Sequence, residues 1–151
     1  MEPKASKLEH LKMLQAVITR MASNSFMVKG WCVTLVSALI ALSAKDAKYM
    51  VLVAFLPVLM FWWLDAFFLH QEKLFRELFD YVRENGKEDS DFSMKTLGKE
   101  SKDDKPASNV ESQFKVAFSK TLFWFYGWLF VAVSAAVYVV MCLLPPPVQK
   151  P

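Results

Sequence analysis

The stretch YMVLVAFLPVLMFWWLDAFFL, residues 49–69, decides the fold class of this chain. It contains one charged residue, Asp65, and one proline, Pro57. At a rise of about 1.5 Å per residue, a helix of this length spans the roughly 30 Å hydrocarbon layer of a bilayer. A helix on the surface of a soluble protein has a polar face, and this stretch has none. The sequence therefore predicts a transmembrane helix over residues 49–69 and an all-α membrane protein.

Two further apolar blocks accompany this helix. They raise the hydrophobic fraction of the 151-residue chain to 54%, above the roughly 45–50% of soluble domains. The first block, residues 26–44, is long enough to cross a bilayer if Lys29 extends its aliphatic stem towards the interface. The second block is residues 121–144. Only a short loop separates residues 26–44 from 49–69, so we expect an antiparallel hairpin and three transmembrane helices in all.

Amphipathic or polar segments flank the three predicted spans. In residues 1–25, apolar residues recur at spacings of three and four, which indicates an amphipathic helix that either lies on the membrane surface or continues into the first span. The helical period of the second span continues through residues 70–84, so we expect one long helix over about 49–84. The remaining segments are predicted as a mobile polar loop over 85–108, an amphipathic helix over 109–120 that leads into the third span, and a tail over 145–151.

The distribution of lysine and arginine predicts the orientation of the spans. Of the 18 basic residues, five lie before or near the start of the first span, ten lie between Lys73 and Lys120, and three lie elsewhere. Because flanking segments rich in Lys and Arg stay on the cytoplasmic side, we expect the N-terminus, the helical extensions and the long loop in the cytoplasm. Three spans then place the C-terminus on the opposite, periplasmic side.

Asp65 is the charge that needs an explanation, because a carboxylate within a span costs about 2.5–3.5 kcal/mol at the membrane centre and less near an interface. Lys29 is expected at a similar depth on the neighbouring helix. One interpretation is an ion pair that fixes the hairpin, and the other is a charge that lines a pore mouth or controls a gate. Small and polar residues of the first span, including Gly30, share one helical face and suit close helix approach. The pore or gate candidates are therefore Thr34, Ser37, Lys29 and Asp65.

Basic residues near the spans are candidates for contact with an anionic ligand or with anionic lipid. Acidic neighbours nearly cancel their charge, so a solvated helix face is the simpler interpretation. If identical helices gathered round an axis, however, one basic face would be repeated and would form a strong anion site. The anionic-ligand candidates are Arg20, Lys73, Arg76 and Arg83.

The sequence gives no support for catalysis. His10 lacks a partner at metal-ligand spacing, and His70 does not share a helix face with Asp65. We find neither a nucleophile triad nor a phosphate-binding glycine loop. Cys32 and Cys142 lie near opposite faces of the membrane in the predicted topology, so we interpret them as packing residues. We therefore predict no enzymatic activity, no metal, no cofactor and no small-molecule substrate.

The run ITRMASNSFMVKGWCVTLVSALIAL (residues 18–42), followed by FWWLDAFFLHQEKLFRELFDYV (residues 61–82), resembles a group of small bacterial membrane proteins from mobile defence loci. It is most similar to the membrane effectors that are partnered with a nucleotidyltransferase, as in the Hailong antiphage system. The resemblance covers about residues 8–84. It implies a symmetric homo-oligomeric, channel-like effector in the bacterial inner membrane. It also implies that a DNA oligomer made by the partner enzyme keeps the channel closed, and that the released effector damages the membrane in an abortive infection.

Two functions therefore compete at this point. The first is an oligomeric ion channel or pore of bacterial antiphage defence that depolarises or disrupts the inner membrane. The alternative is a non-conducting membrane anchor or scaffold that recruits a cytoplasmic partner through residues 74–82 and the following loop.

Overall fold

The computed structural model describes residues 3–43, 50–85, 94–96 and 111–143. All the regular secondary structure within these ranges is helical, and none of it is strand. The predicted all-α class is therefore confirmed. The helices are α1 (Pro3–Ser43), α2 (Met50–Val53), α3 (Phe55–Asn85), α4 (Gln113–Ala117), α5 (Lys120–Tyr138) and a π-helical turn (Val139–Leu143).

Three segments are long and apolar enough to cross a membrane, as the sequence predicted. They are Ala5–Ser43, Val51–Glu84 and Lys120–Cys142. This architecture is compatible with a multi-pass membrane protein. The predicted loop over residues 45–48, most of the predicted loop over 85–108 and the tail over 145–151 lie outside the described residues.

Helix α1 is continuous over 41 residues. The amphipathic helix predicted over residues 1–25 therefore runs directly into the first span, which decides between the two interpretations that the sequence left open. Gly30 lies inside this helix and does not interrupt it.

The second long helix differs from the prediction, because a break at Ala54 separates α2 from α3. The break follows from Pro57. Proline has no N–H to donate to the carbonyl four residues earlier, that of Val53, and its ring crowds that carbonyl. The Ala54 N–H instead donates to the Val51 carbonyl at 3.2 Å, a tighter i to i−3 hydrogen bond. Beyond the break, α3 continues without interruption through the predicted extension at residues 70–84.

The predicted amphipathic helix over residues 109–120 is shorter in the structure, because α4 begins at Gln113 and ends at Ala117. Phe118 and Ser119 interrupt the helix before α5. Ser119 has an extended backbone, with φ −62° and ψ 150°, and is the N-cap of α5. The predicted N-cap positions, Ser108 and Asn109, lie outside the described residues.

The chain divides into two compact units. The first unit comprises residues 1–25 and 67–116, and the second comprises residues 26–66 and 117–151. In the first unit, Leu14 of α1 is fully buried against Leu78 and Val82 of α3. Partly buried side chains complete this cluster: Leu11, Phe75, Phe79 and Tyr81. The apolar stripe that the sequence places in residues 1–25 therefore packs against α3.

The second unit is held by apolar packing and by hydrogen bonds from aromatic side chains. The Trp62 Nε1–H donates to the Ala117 carbonyl at 2.8 Å. The Tyr126 hydroxyl donates to the Phe61 carbonyl at 3.2 Å. The Trp62 ring stacks on Tyr126 and meets the Phe118 ring edge-on. Trp62 of α3 therefore contacts α5 through Tyr126, and it contacts Ala117 and Phe118 in the segment that precedes α5.

Candidate functional site

The second unit contains a buried ion pair between the first two spans. The Lys29 Nζ of α1 lies 2.5 Å from the Asp65 Oδ2 of α3. The Asp65 side chain is 0% exposed, whereas the Lys29 side chain is 20% exposed. The ion pair, one of the two interpretations that the sequence left open for Asp65, is therefore present between α1 and α3.

The Asp65 carboxylate is enclosed by protein rather than placed on an exposed face. Cys32 and Tyr126 lie close enough to it to interact electrostatically. The Lys29 Nζ also lies 6.0 Å from the centre of the Phe125 ring, within the range of a cation–π contact. Burial removes the Asp65 carboxylate from water and partly shields Lys29. The cost of this desolvation offsets much of the attraction, so the pair orients the two helices more than it stabilises them.

Thr34 and Ser37, the other two pore or gate candidates, lie on a different face of α1. Both are exposed, as are Gly30 and Ala41. At about 100° per residue, this face is roughly opposite to the buried side of α1. That buried side is formed in this region by Val28, Cys32 and Val36. The structure therefore brings Lys29 and Asp65 together and leaves Thr34 and Ser37 apart from them.

The exposed face of α1 has open space beside it in the part of the chain that the structure describes. A Cβ atom built on Gly30 would meet nothing within 4 Å. The Thr34 hydroxyl donates a hydrogen bond to the Gly30 carbonyl of its own helix at 2.9 Å. This donor therefore does not require an acceptor from another helix. We call Gly30, Thr34, Ser37 and Ala41 the small-residue face.

Two of the four anionic-ligand candidates are engaged by carboxylates of the same helix. In the first unit, an Arg76 guanidinium nitrogen lies 2.7 Å from the Glu72 Oε1. Arg83 lies 3.2 Å from Asp80 and 3.4 Å from Glu84. Arg20 is exposed and Lys73 is partly exposed. The two ion-paired arginines fit the interpretation of a solvated, charge-balanced face better than that of a preformed anion site.

The remaining titratable and sulfur-containing candidates form no cluster. In the parts of the chain that the structure describes, no group of three or more His, Cys, Asp or Glu side chains could hold a metal ion. Cys32 and Cys142 are free thiols. His10 is buried and His70 is partly buried.

Sequence reasoning placed Glu72 among the acidic neighbours that offset the basic charge but did not pair it with Arg76, and it missed Tyr126 as a neighbour of Asp65. Glu72 is buried, and its spacing of four residues from Arg76 is the signal that could have identified the pair. Tyr126 lies in an apolar stretch in which polar and apolar residues do not alternate with the period of a helix. Nothing in the sequence therefore indicates that Tyr126 would face Asp65.

Comparison with known proteins adds no relative: no protein-family model matches the chain, and no curated protein or solved structure matches it significantly.

Proposed function

We propose that this chain is a membrane effector of bacterial antiphage defence that assembles into a homo-oligomeric ion channel or pore in the inner membrane and depolarises it when released. It acts as a channel rather than as an enzyme, with its N-terminus and long loop in the cytoplasm and its C-terminus in the periplasm. The single observation that carries the proposal is the small-residue face of α1, which is exposed and opposite to the packed side of the helix.

The small-residue face supports assembly because small side chains let transmembrane helices approach closely. Within the described part of the chain these four residues are exposed, and the space around Gly30 is open. A second copy of α1 would fill that space. In a ring of copies, the hydroxyl oxygens of Thr34 and Ser37 would then border a central, water-filled path.

The Lys29–Asp65 ion pair has a supporting role in this proposal. Asp65 is fully buried within one chain, so the pair does not border the path. It holds the first span, which carries the small-residue face, against the second span. The pair would therefore keep the wall of the channel in place.

Control by a nucleic-acid oligomer is the part of the proposal that depends on the resemblance. Arg20 and Lys73 form no ion pair with any residue that the structure describes, and a ring of copies would repeat their charges several times. Such repetition would give a polyanion many cationic contacts, which is the source of salt-dependent affinity for nucleic acid.

The first test is the membrane potential of cells that express the protein without a partner enzyme. The proposal predicts depolarisation on induction. Gly30→Leu should abolish it, because the larger side chain fits the single chain but blocks close approach of a second copy. Leu35→Phe, which enlarges an exposed side chain on another side of α1, is the matched control and should still depolarise. A normal potential at good expression of the unaltered protein would contradict the proposal.

The second test asks whether water reaches the small-residue face. In a Cys142→Ser background, Ser37→Cys should react with a charged, membrane-impermeant thiol reagent, because the proposed path is wet. Leu35→Cys, exposed on a side of α1 that faces away from the path, should stay unmodified. Equal reactivity of the two cysteines, or none at either, would argue against a pore lined by α1.

The alternative function, a non-conducting anchor or scaffold, has a weaker basis. It requires residues 74–82 to be available for a soluble partner. Phe75 and Phe79 of that segment pack against the Leu14, Leu78 and Val82 cluster within the chain. A partner would therefore have to use the exposed remainder of the helix or displace part of this packing.

A further inference from the structure

The second unit has an apolar groove that no other part of the described chain fills. Its volume is about 850 Å³, within the range of roughly 300–1,000 Å³ that small-molecule sites occupy. Val33 of α1 forms one side, and residues of α5 form the rest, among them Trp124, Trp128 and Ala132.

One end of the groove is cationic. Lys120 and Thr121 line it there. Lys120 is exposed and makes no ion pair with any residue that the structure describes. It is also the first residue of the 23-residue apolar segment Lys120–Cys142. At about 1.5 Å per residue that segment spans the hydrocarbon layer, so its first residue lies at the level of the lipid headgroups.

The rest of the groove has the length and lining that one acyl chain needs. From Lys120 to Ala132 the helix rises about 18 Å, slightly more than half of the roughly 30 Å hydrocarbon layer. Trp124 and Trp128 are both well exposed, and tryptophan is enriched where lipid headgroups meet acyl chains. The groove thus has a cation at headgroup depth and an apolar channel that leads from it towards the membrane centre.

We infer that this groove binds an anionic phospholipid, with the phosphate beside Lys120 and one acyl chain between α5 and Val33. The positive charge at the headgroup end gives preference for anionic over zwitterionic lipid. The length of the apolar lining selects a lipid rather than a soluble phosphate compound.

Tryptophan quenching by brominated lipids tests this inference, because Trp124 and Trp128 lie in the groove. The full chain is reconstituted in bilayers that contain brominated phosphatidylglycerol or brominated phosphatidylcholine, with Trp31 and Trp63, which are exposed outside the groove, replaced by Phe so that the signal reports on the groove. We expect phosphatidylglycerol to bind about fivefold more tightly, the effect of one basic group at an anionic lipid surface. Lys120→Gln should abolish this preference. Lys115→Gln is the matched control, because Lys115 is an exposed lysine of α4 that does not line the groove, and it should keep the preference.

A second pair of variants tests the acyl-chain part of the site. Ala132→Phe should reduce quenching by both lipids, because the ring occupies the groove. Ala135→Phe changes an exposed alanine of the same helix outside the groove and should leave quenching unchanged. Equal affinity for the two lipids, a preference that survives Lys120→Gln, or an equal loss in Lys115→Gln would overturn the inference. Tryptophans that neither lipid quenches would also overturn it, because a second copy of the chain would then cover the groove.

Discussion

Breaking the Lys29–Asp65 pair from either side should destabilise the protein to different extents, because the two side chains are buried differently. Lys29→Gln leaves the Asp65 carboxylate, which is 0% exposed, without its cation. Removing one partner of a buried pair costs about 3–5 kcal/mol. Asp65→Asn instead leaves the Lys29 ammonium, whose side chain is 20% exposed and whose flexible stem reaches the interface. The expected loss is then about 1.5–3 kcal/mol, the value for one hydrogen bond to a charged group.

The double variant Lys29→Gln with Asp65→Asn removes both charges and leaves two neutral amides. Its loss of unfolding free energy should be smaller than the sum of the single losses by about 2 kcal/mol, within the usual coupling of contacting residues. The free energies come from unfolding in mixed micelles of increasing SDS content, followed by far-ultraviolet circular dichroism. Arg76→Gln, which breaks the more exposed pair with Glu72, is the control and should cost about 1 kcal/mol or less. Equal losses for Asp65→Asn and Lys29→Gln, or losses that add in the double variant, would refute the unequal burial and the coupling of the two charges.

Three further changes test the packing. Leu14→Ala should lower the free energy of unfolding by about 2–5 kcal/mol, because Leu14 is fully buried in the first unit. Met13→Ala, at an exposed neighbour, is the control and should change it by less than about 0.5 kcal/mol. Equal losses in the two variants would rule out this core. Trp62→Phe should lower the free energy of unfolding by about 1 kcal/mol, because it removes the hydrogen bond to the Ala117 carbonyl. An unchanged stability in thermal unfolding would mean that this hydrogen bond does not form. Pro57→Ala should join α2 and α3 into one helix and protect the new amide at position 57 from hydrogen exchange, and rapid exchange there would show that the break at Ala54 has another cause.

The sequence predicted the features that depend on local composition. The three apolar helices follow from length and hydropathy. The Lys29–Asp65 pair follows from the comparable depth of two opposite charges on neighbouring spans. The apolar stripe of residues 1–25 correctly indicated the side of α1 that packs in the first unit, because that stretch has polar residues on its other sides.

The sequence could not predict how the apolar spans are rotated against one another. A span that is hydrophobic all round has no periodicity to mark its packed side, so the burial of Asp65 and the exposure of Thr34 both depend on contacts between helices. Which residues Phe75 and Phe79 pack against likewise depends on tertiary contacts. The break at Ala54 is different, since Pro57 is visible in the sequence and its effect on the Val53 carbonyl follows from covalent geometry.

Membrane topology is the most direct test of the central claim, which is that three helices cross a bilayer and leave most of the positive charge on the cytoplasmic side. Alkaline phosphatase, which is active only in the periplasm, is fused either after residue 151 or within residues 86–93. With this topology we expect activity for the fusion after residue 151 and none for the fusion within residues 86–93. Activity in the loop fusion alone, or a chain that is soluble without detergent, would contradict it.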